Sequence, residues 1–153
     1  MTVVGKLIGA AFITIAATLL GFSLSNKLKM RCETLNWYLQ SVRIISDRIR
    51  YSSSELEKIV LELPAYKGYL GIQYPFCVKA QNTALNSDDA ALINEFFSRL
   101  GMGDVTEQIN ICTMYAREIE ARYNDAQKEY QEKSKPIKSF GFLTGLGVAI
   151  ILI

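Results

Sequence analysis

The chain has 153 residues, half of them apolar, with 17 Lys/Arg against 15 Asp/Glu and no histidine. One domain of ordinary size is expected, and the missing histidine removes the commonest general base, metal ligand and pH switch. All 15 acidic residues lie between Glu33 and Glu132, where only 10 basic residues accompany them, so that region is acidic by five charges and has no stripe suited to nucleic acid.

The other seven basic residues, Lys6, Lys27, Lys29, Arg31, Lys133, Lys135 and Lys138, sit towards the two ends. They flank apolar segments, which is a topology signal. Val3 to Leu24 is apolar apart from Lys6 and a few hydroxyl side chains. About 20 helical residues, at about 1.5 Å each, cross a hydrocarbon layer of about 30 Å. A cleaved signal peptide is the competing reading, with Ser23-Leu24-Ser25 as the cut. The weak basic start and the Lys27, Lys29, Arg31 tail favour a retained membrane helix over 1–25.

The middle of the chain reads as helical throughout. Leu35, Leu39, Val42, Ile45 and Ile49 share one face of a helix over Met30–Tyr51. The run contains neither Gly nor Pro, so it can continue the membrane helix without a break. Ser54-x-x-Glu57 is a capping box for a second helix that Pro64 ends. A loop follows around Lys67-Gly68. Pro75 is expected in the first turn of a third helix reaching Leu85. Ser87 is expected to cap a fourth, with Asp88 and Asp89 set against its dipole. That helix carries Leu92, Ile93, Phe96, Phe97 and Leu100 and ends at Gly101.

The fifth helix opens at Asp104-x-x-Glu107. Its core stripe is Ile109, Cys112, Ala116, Ile119, Tyr123, Ala126 and Tyr130, in alternating steps of three and four. Trp37, Phe76 and the tyrosines add core volume. The pairs Glu118/Arg122, Asp125/Lys128 and Glu129/Lys133 mark its solvated face. The helix is expected to turn at Pro136 into the uncharged segment Phe140–Ile153. Fourteen residues span about 21 Å, and counting from Pro136 gives about 27 Å, with Lys138 reaching the headgroups. A tail folded back onto the soluble part is the alternative.

The expected architecture is therefore all-α: an antiparallel helical bundle, 26–138, inserted between transmembrane helices at 1–25 and 139–153. Six basic residues on the loop side place the bundle in the cytoplasm and both termini across the membrane. Three widely spaced cysteines without a C-x-x-C suit a reducing compartment. Small residues at spacing four, Gly5/Gly9, Ala17/Gly21 and Gly141/Gly145, are candidate packing positions, between the two membrane helices or onto another subunit.

Catalytic and cofactor motifs are not found. The sequence holds no P-loop, no G-x-S-x-G and no Cys/His pair. Asp88-Asp89 reads as a helix start and not a cation site. A thiol enzyme using Cys32, beside Arg31, is the one enzymatic alternative. No metal, cofactor, small-molecule substrate or nucleic acid is expected.

The order of Arg31-x-x-x-Leu35, Tyr51, Leu100-Gly101-x-Gly103-Asp104-x-x-x-Gln108 and Gly141-x-x-x-Gly145-Leu146 resembles the stage III sporulation protein AB family over essentially the whole chain. That family's soluble part is similar to the cytoplasmic helical domain of the inner-membrane platform protein of type II secretion and type IV pilus systems. The resemblance implies a non-catalytic platform in the channel between mother cell and forespore. The bundle would face the mother-cell cytoplasm from the outer forespore membrane. The partners implied are a sporulation ATPase encoded alongside it and ring-forming membrane proteins. Asp104 and Gln108, one turn apart at a helix start, are the candidate contact residues beside the packing glycines. The bland readings are an N-cap for Asp104 and a surface residue for Gln108. A membrane-anchored helical adaptor or receptor outside sporulation is the alternative function.

Overall fold

The computed structural model describes residues 3–51, 56–63, 72–73, 77–78 and 85–152, together with side chains at most of those positions. Among the described residues four helices dominate: α1 (Val3–Tyr51), α2 (Leu56–Leu61), α3 (Ser87–Arg99) and α4 (Val105–Leu152). Two short strands, β1 (Ile72–Gln73) and β2 (Cys77–Val78), pair antiparallel with Ile72 opposite Val78 and Gln73 opposite Cys77. The helix expected from Pro75 to Leu85 is thus corrected. Cys77 and Val78, inside that span, are strand and not helix, and Pro75 itself lies outside the described residues. The Ser54–Glu57 capping box and the Lys67-Gly68 loop fall wholly or largely outside the described residues.

The chain divides into two compact units. One is formed by residues 1–30 and 126–153, the other by residues 31–125. α1 and α4 each contribute to both.

In the unit of residues 31–125, α1 presents Leu35, Tyr38, Leu39, Val42 and Ile45 to the core. α3 presents Ile93, Phe96 and Phe97, and α4 presents Cys112, Tyr115 and Ile119. Each set follows helical spacing, so one face of each helix is removed from water. Aromatic rings tie the three helices together. Tyr38 meets Trp37 edge-on at 4.8 Å and Phe97 at 6.3 Å, Phe96 meets Phe97 at 5.0 Å, and Phe96 tilts on Tyr115 at 5.5 Å. Pairs of this kind are worth about 0.5–1.5 kcal/mol each beyond area burial. β2 lies against α3.

α3 starts one residue earlier than Ser87 implied. Asn86 is the N-cap, extended at φ −77° and ψ 172°, and its side chain accepts a hydrogen bond from the Asp89 N–H at 2.7 Å. Asn ranks with the best caps, and Ser87 becomes the first helical residue.

In the unit of residues 1–30 and 126–153, the burial pattern is reversed. Gly21, Ser25, Ala126 and Ser134 are buried, while Phe12, Leu19, Leu20, Phe22, Leu24 and Leu143 are all more than half exposed. α4 continues as helix through Pro136. The expected turn there is corrected. The ring deletes only the hydrogen bond to the Glu132 carbonyl, and the helix resumes on both sides. Glu129 and Lys133 form the expected i,i+4 pair at 2.8 Å. Among the described residues no helix is long and apolar enough to cross a membrane. Most side chains of 1–17 and of 138–153, on which the two expected membrane segments depend, lie outside that set.

Candidate functional site

The turn between α3 and α4 is built for one conformation. α3 ends at Arg99, and the capping N–H of Leu100 bonds back to the Phe96 carbonyl at 3.0 Å. Gly101 and Gly103 follow with φ of 91° and 86°. Side chains with a Cβ rarely adopt that region. A Cβ at Gly101 would also stand 3.3 Å from Leu56 Cδ2, and one at Gly103 would run into the Glu107 carboxylate.

Asp104 caps α4. Its Oδ1 accepts from the Glu107 N–H at 2.8 Å, and its carbonyl takes the first helical bond from the Gln108 N–H at 2.9 Å. Gln108, read as a surface residue, is corrected: it is buried, with its side chain folded back into the turn. Its Oε1 accepts from the Gly101 N–H at 2.9 Å and its Nε2 donates to the Met102 carbonyl. Both ends of the amide are thus spent on the backbone. Met102 and Val105 are left pointing outwards, 63% and 60% exposed.

A second polar construction holds α3 to α1. Asp89, expected at the α3 start as a carboxylate set against the helix dipole, is completely buried. Arg31 grips it with two donors, Nε to Oδ2 at 2.7 Å and Nη2 to Oδ1 at 3.3 Å. A fork of this geometry compensates a carboxylate that has lost its water. The signal was present in the pattern. Asp89 is in register with Ile93, Phe96 and Phe97, and Arg31 with Leu35, Tyr38 and Val42. Two opposite charges on two apolar stripes are each other's natural partner. Gln108 gives the same signal, in register with Cys112, Tyr115 and Ile119.

Between α1 and α4 in this unit lies an open cleft of about 360 Å³. Arg43 Nη2 meets Glu120 Oε1 at its edge at 3.0 Å, and Asp47, Thr113 and Arg117 also line it. The pair is half-exposed on both sides, so it is worth little in stability.

Cys32 and Cys112 are buried and unbridged. Burial pushes the Cys112 thiol up to about 11, an effect only partly offset by its backbone hydrogen bond. Among the described residues no group of three or more His, Cys, Asp or Glu could hold a metal ion. Of the candidate packing positions, Gly21 is buried and Gly9 is exposed with open space where a Cβ would be. The surroundings of Gly5, Ala17, Gly141 and Gly145 lie outside the described side chains.

The family model for stage III sporulation protein AB matches residues 6–68 and 76–153. No curated protein and no solved structure matches the chain.

Proposed function

Because the chain belongs to the stage III sporulation protein AB family, and so to stage III of sporulation, we propose that it is a non-catalytic membrane platform in that process. It links a cytoplasmic sporulation ATPase to ring-forming membrane proteins of a channel between mother cell and forespore. The apolar ends, 1–25 and 139–153, cross the membrane, and the region between them faces the mother-cell cytoplasm.

The reversed burial in the unit of residues 1–30 and 126–153 carries this reading. Within those apolar ends Phe12, Leu19, Leu20, Phe22, Leu24 and Leu143 are turned outwards, while Gly21 and Ser25 are enclosed. Water does not favour that arrangement, since an apolar patch of this extent marks contact with lipid or protein. Lipid favours it, because helices there associate through small residues and share hydroxyl hydrogen bonds. The basic residues Lys27, Lys29, Arg31, Lys133, Lys135 and Lys138, which flank the apolar ends in the sequence, support the orientation.

The partner contact is assigned to the α3–α4 turn. Asp104 and Gln108 act there as positioning residues: they hold the backbone, and Met102 and Val105 meet the ATPase. A fixed turn with two exposed apolar side chains binds without an ordering cost. Affinity purification of the full chain from detergent-solubilised sporulating cells tests the role. The ATPase is expected to co-purify with the unmodified chain and to be lost from the Met102→Asp/Val105→Asp variant. Absence of the ATPase from the unmodified preparation would contradict the platform role.

A further inference from the structure

A cavity of about 440 Å³ opens within the unit of residues 1–30 and 126–153. Its walls are Leu19, Phe22, Ser23, Asn26 and Lys29 of α1 and Tyr130 of α4, over the buried Ser25. The volume lies within the range of about 300–1,000 Å³ usual for small-molecule sites. The lining is graded along α1. Leu19 and Phe22, both more than half exposed, stand at one end, and Lys29 stands at the other. Ten residues of helix separate the two ends, about 15 Å. Ser23 and Asn26 line the middle, and Tyr130 joins the lining from α4.

We propose that this cavity binds one anionic phospholipid. The graded lining matches that molecule from tail to head. An acyl chain lies along Leu19 and Phe22, the glycerol and ester region meets Ser23 and Asn26, and the phosphate accepts hydrogen bonds from Lys29 and Tyr130. A basic pocket between membrane helices on the cytoplasmic side is the setting in which such lipids are held, and Lys29 is the lysine that lines this one. The inference rests on the membrane reading above. In that reading Leu19–Lys29 straddles the cytoplasmic boundary, which gives the lipid the same direction as its neighbours in the leaflet.

The test uses the full chain, purified in neutral detergent and stripped of lipid, then examined by native mass spectrometry with phosphatidylglycerol, phosphatidylcholine or inorganic phosphate added. One phosphatidylglycerol is expected to stay bound in preference to phosphatidylcholine. Lys29→Gln is expected to weaken it about five-fold, the effect of one lysine near an anionic surface. Tyr130→Phe weakens it less, and Lys135→Gln, outside the cavity, leaves it unchanged. Equal losses from Lys29→Gln and Lys135→Gln would mean diffuse attraction and overturn the site. Equal retention of phosphatidylcholine would overturn the anionic preference. Displacement of the lipid by inorganic phosphate would reassign the cavity to a free anion. Far-UV circular dichroism on each variant establishes that the helices remain. Alkaline extraction of the cell membranes separates the two readings. A chain released by that wash refutes the membrane platform, whereas one that stays in the membrane but shows no lipid preference refutes the lipid site alone.

Discussion

Removing Arg31 leaves the buried Asp89 carboxylate without its counter-charge among the described residues. The side chain of Asp89 is fully buried, whereas that of Arg31 is 15% exposed. The two halves of the pair are therefore unequal. In Arg31→Ala the buried carboxylate keeps its place without its fork of donors, and breaking a buried pair this way costs about 3–5 kcal/mol. In Asp89→Ala the guanidinium, already near the surface, can turn towards water, and the loss is smaller. Replacing both, as Arg31→Met/Asp89→Leu, leaves neither charge stranded. The double variant is expected to recover most of the loss, and a double-mutant cycle isolates the coupling. Urea unfolding in mild detergent, followed by circular dichroism at 222 nm, gives the numbers. With a slope of about 2 kcal/mol/M, a loss of about 4 kcal/mol moves the midpoint by about 2 M. A loss below about 1 kcal/mol for Arg31→Ala, or a double variant as unstable as the sum of the singles, would refute the burial argument.

The Tyr38 and Ser41 hydroxyls are buried with no hydrogen-bond partner among the described residues, so Tyr38→Phe is expected to stabilise the chain by about 1 kcal/mol in the same urea assay, since it removes an unpaired group and keeps the ring. Gln108→Ala strands the Gly101 N–H and the Met102 carbonyl and is expected to cost about 1–3 kcal/mol; Gln108→Glu, which has no amide donor for Met102, should not restore it. Stability should hold to about pH 9 and fall above it. Burial raises Cys112 to about 11 and also raises Tyr38 and Tyr115, the latter with help from Glu95. A group raised in the folded state stabilises fully below its unfolded value and loses that contribution as pH climbs through the folded one. For Cys112 that window is about pH 9–11, so a Cys112→Ala variant should show a shallower alkaline decline. Iodoacetamide at pH 8 should modify Cys112 only in unfolded chains, because little thiolate exists below the raised value; rapid labelling of folded protein would count against it.

Much of the helical framework was legible because long apolar stripes dictate it. The α4 stripe through Cys112, Ile119 and Ala126, and the α1 face through Leu35, Leu39, Val42 and Ile45, lie in the core as spacing requires. Gly101 closes the α3 end because a positive φ was needed there. What escaped was polar and non-local. Asp89 looked like a helix-start carboxylate, and its partner Arg31 is 58 residues away. Only the shared register of each with apolar neighbours gave them away. Gln108 looks like a surface residue in the sequence because its hydrogen bonds run backwards into the preceding turn, which no forward capping rule anticipates. A proline suits a helix start, which is why Pro75 suggests one, but Cys77 and Val78 pair as a strand through contacts that no local pattern announces. Pro136 was read as a turn, yet one missing hydrogen bond is a small loss within a helix of 48 residues.

In the proposed topology the chain crosses the membrane at both ends with its bundle in the cytoplasm. A cysteine-free version carrying a single Thr2→Cys or a single Met102→Cys, treated with a membrane-impermeant maleimide, measures this directly. Thr2→Cys is expected to label in intact cells, and Met102→Cys, on the exposed α3–α4 turn, only after the membrane is permeabilised. Labelling of Met102→Cys in intact cells, or protection of Thr2→Cys until permeabilisation, would contradict the proposed topology and the platform built on it.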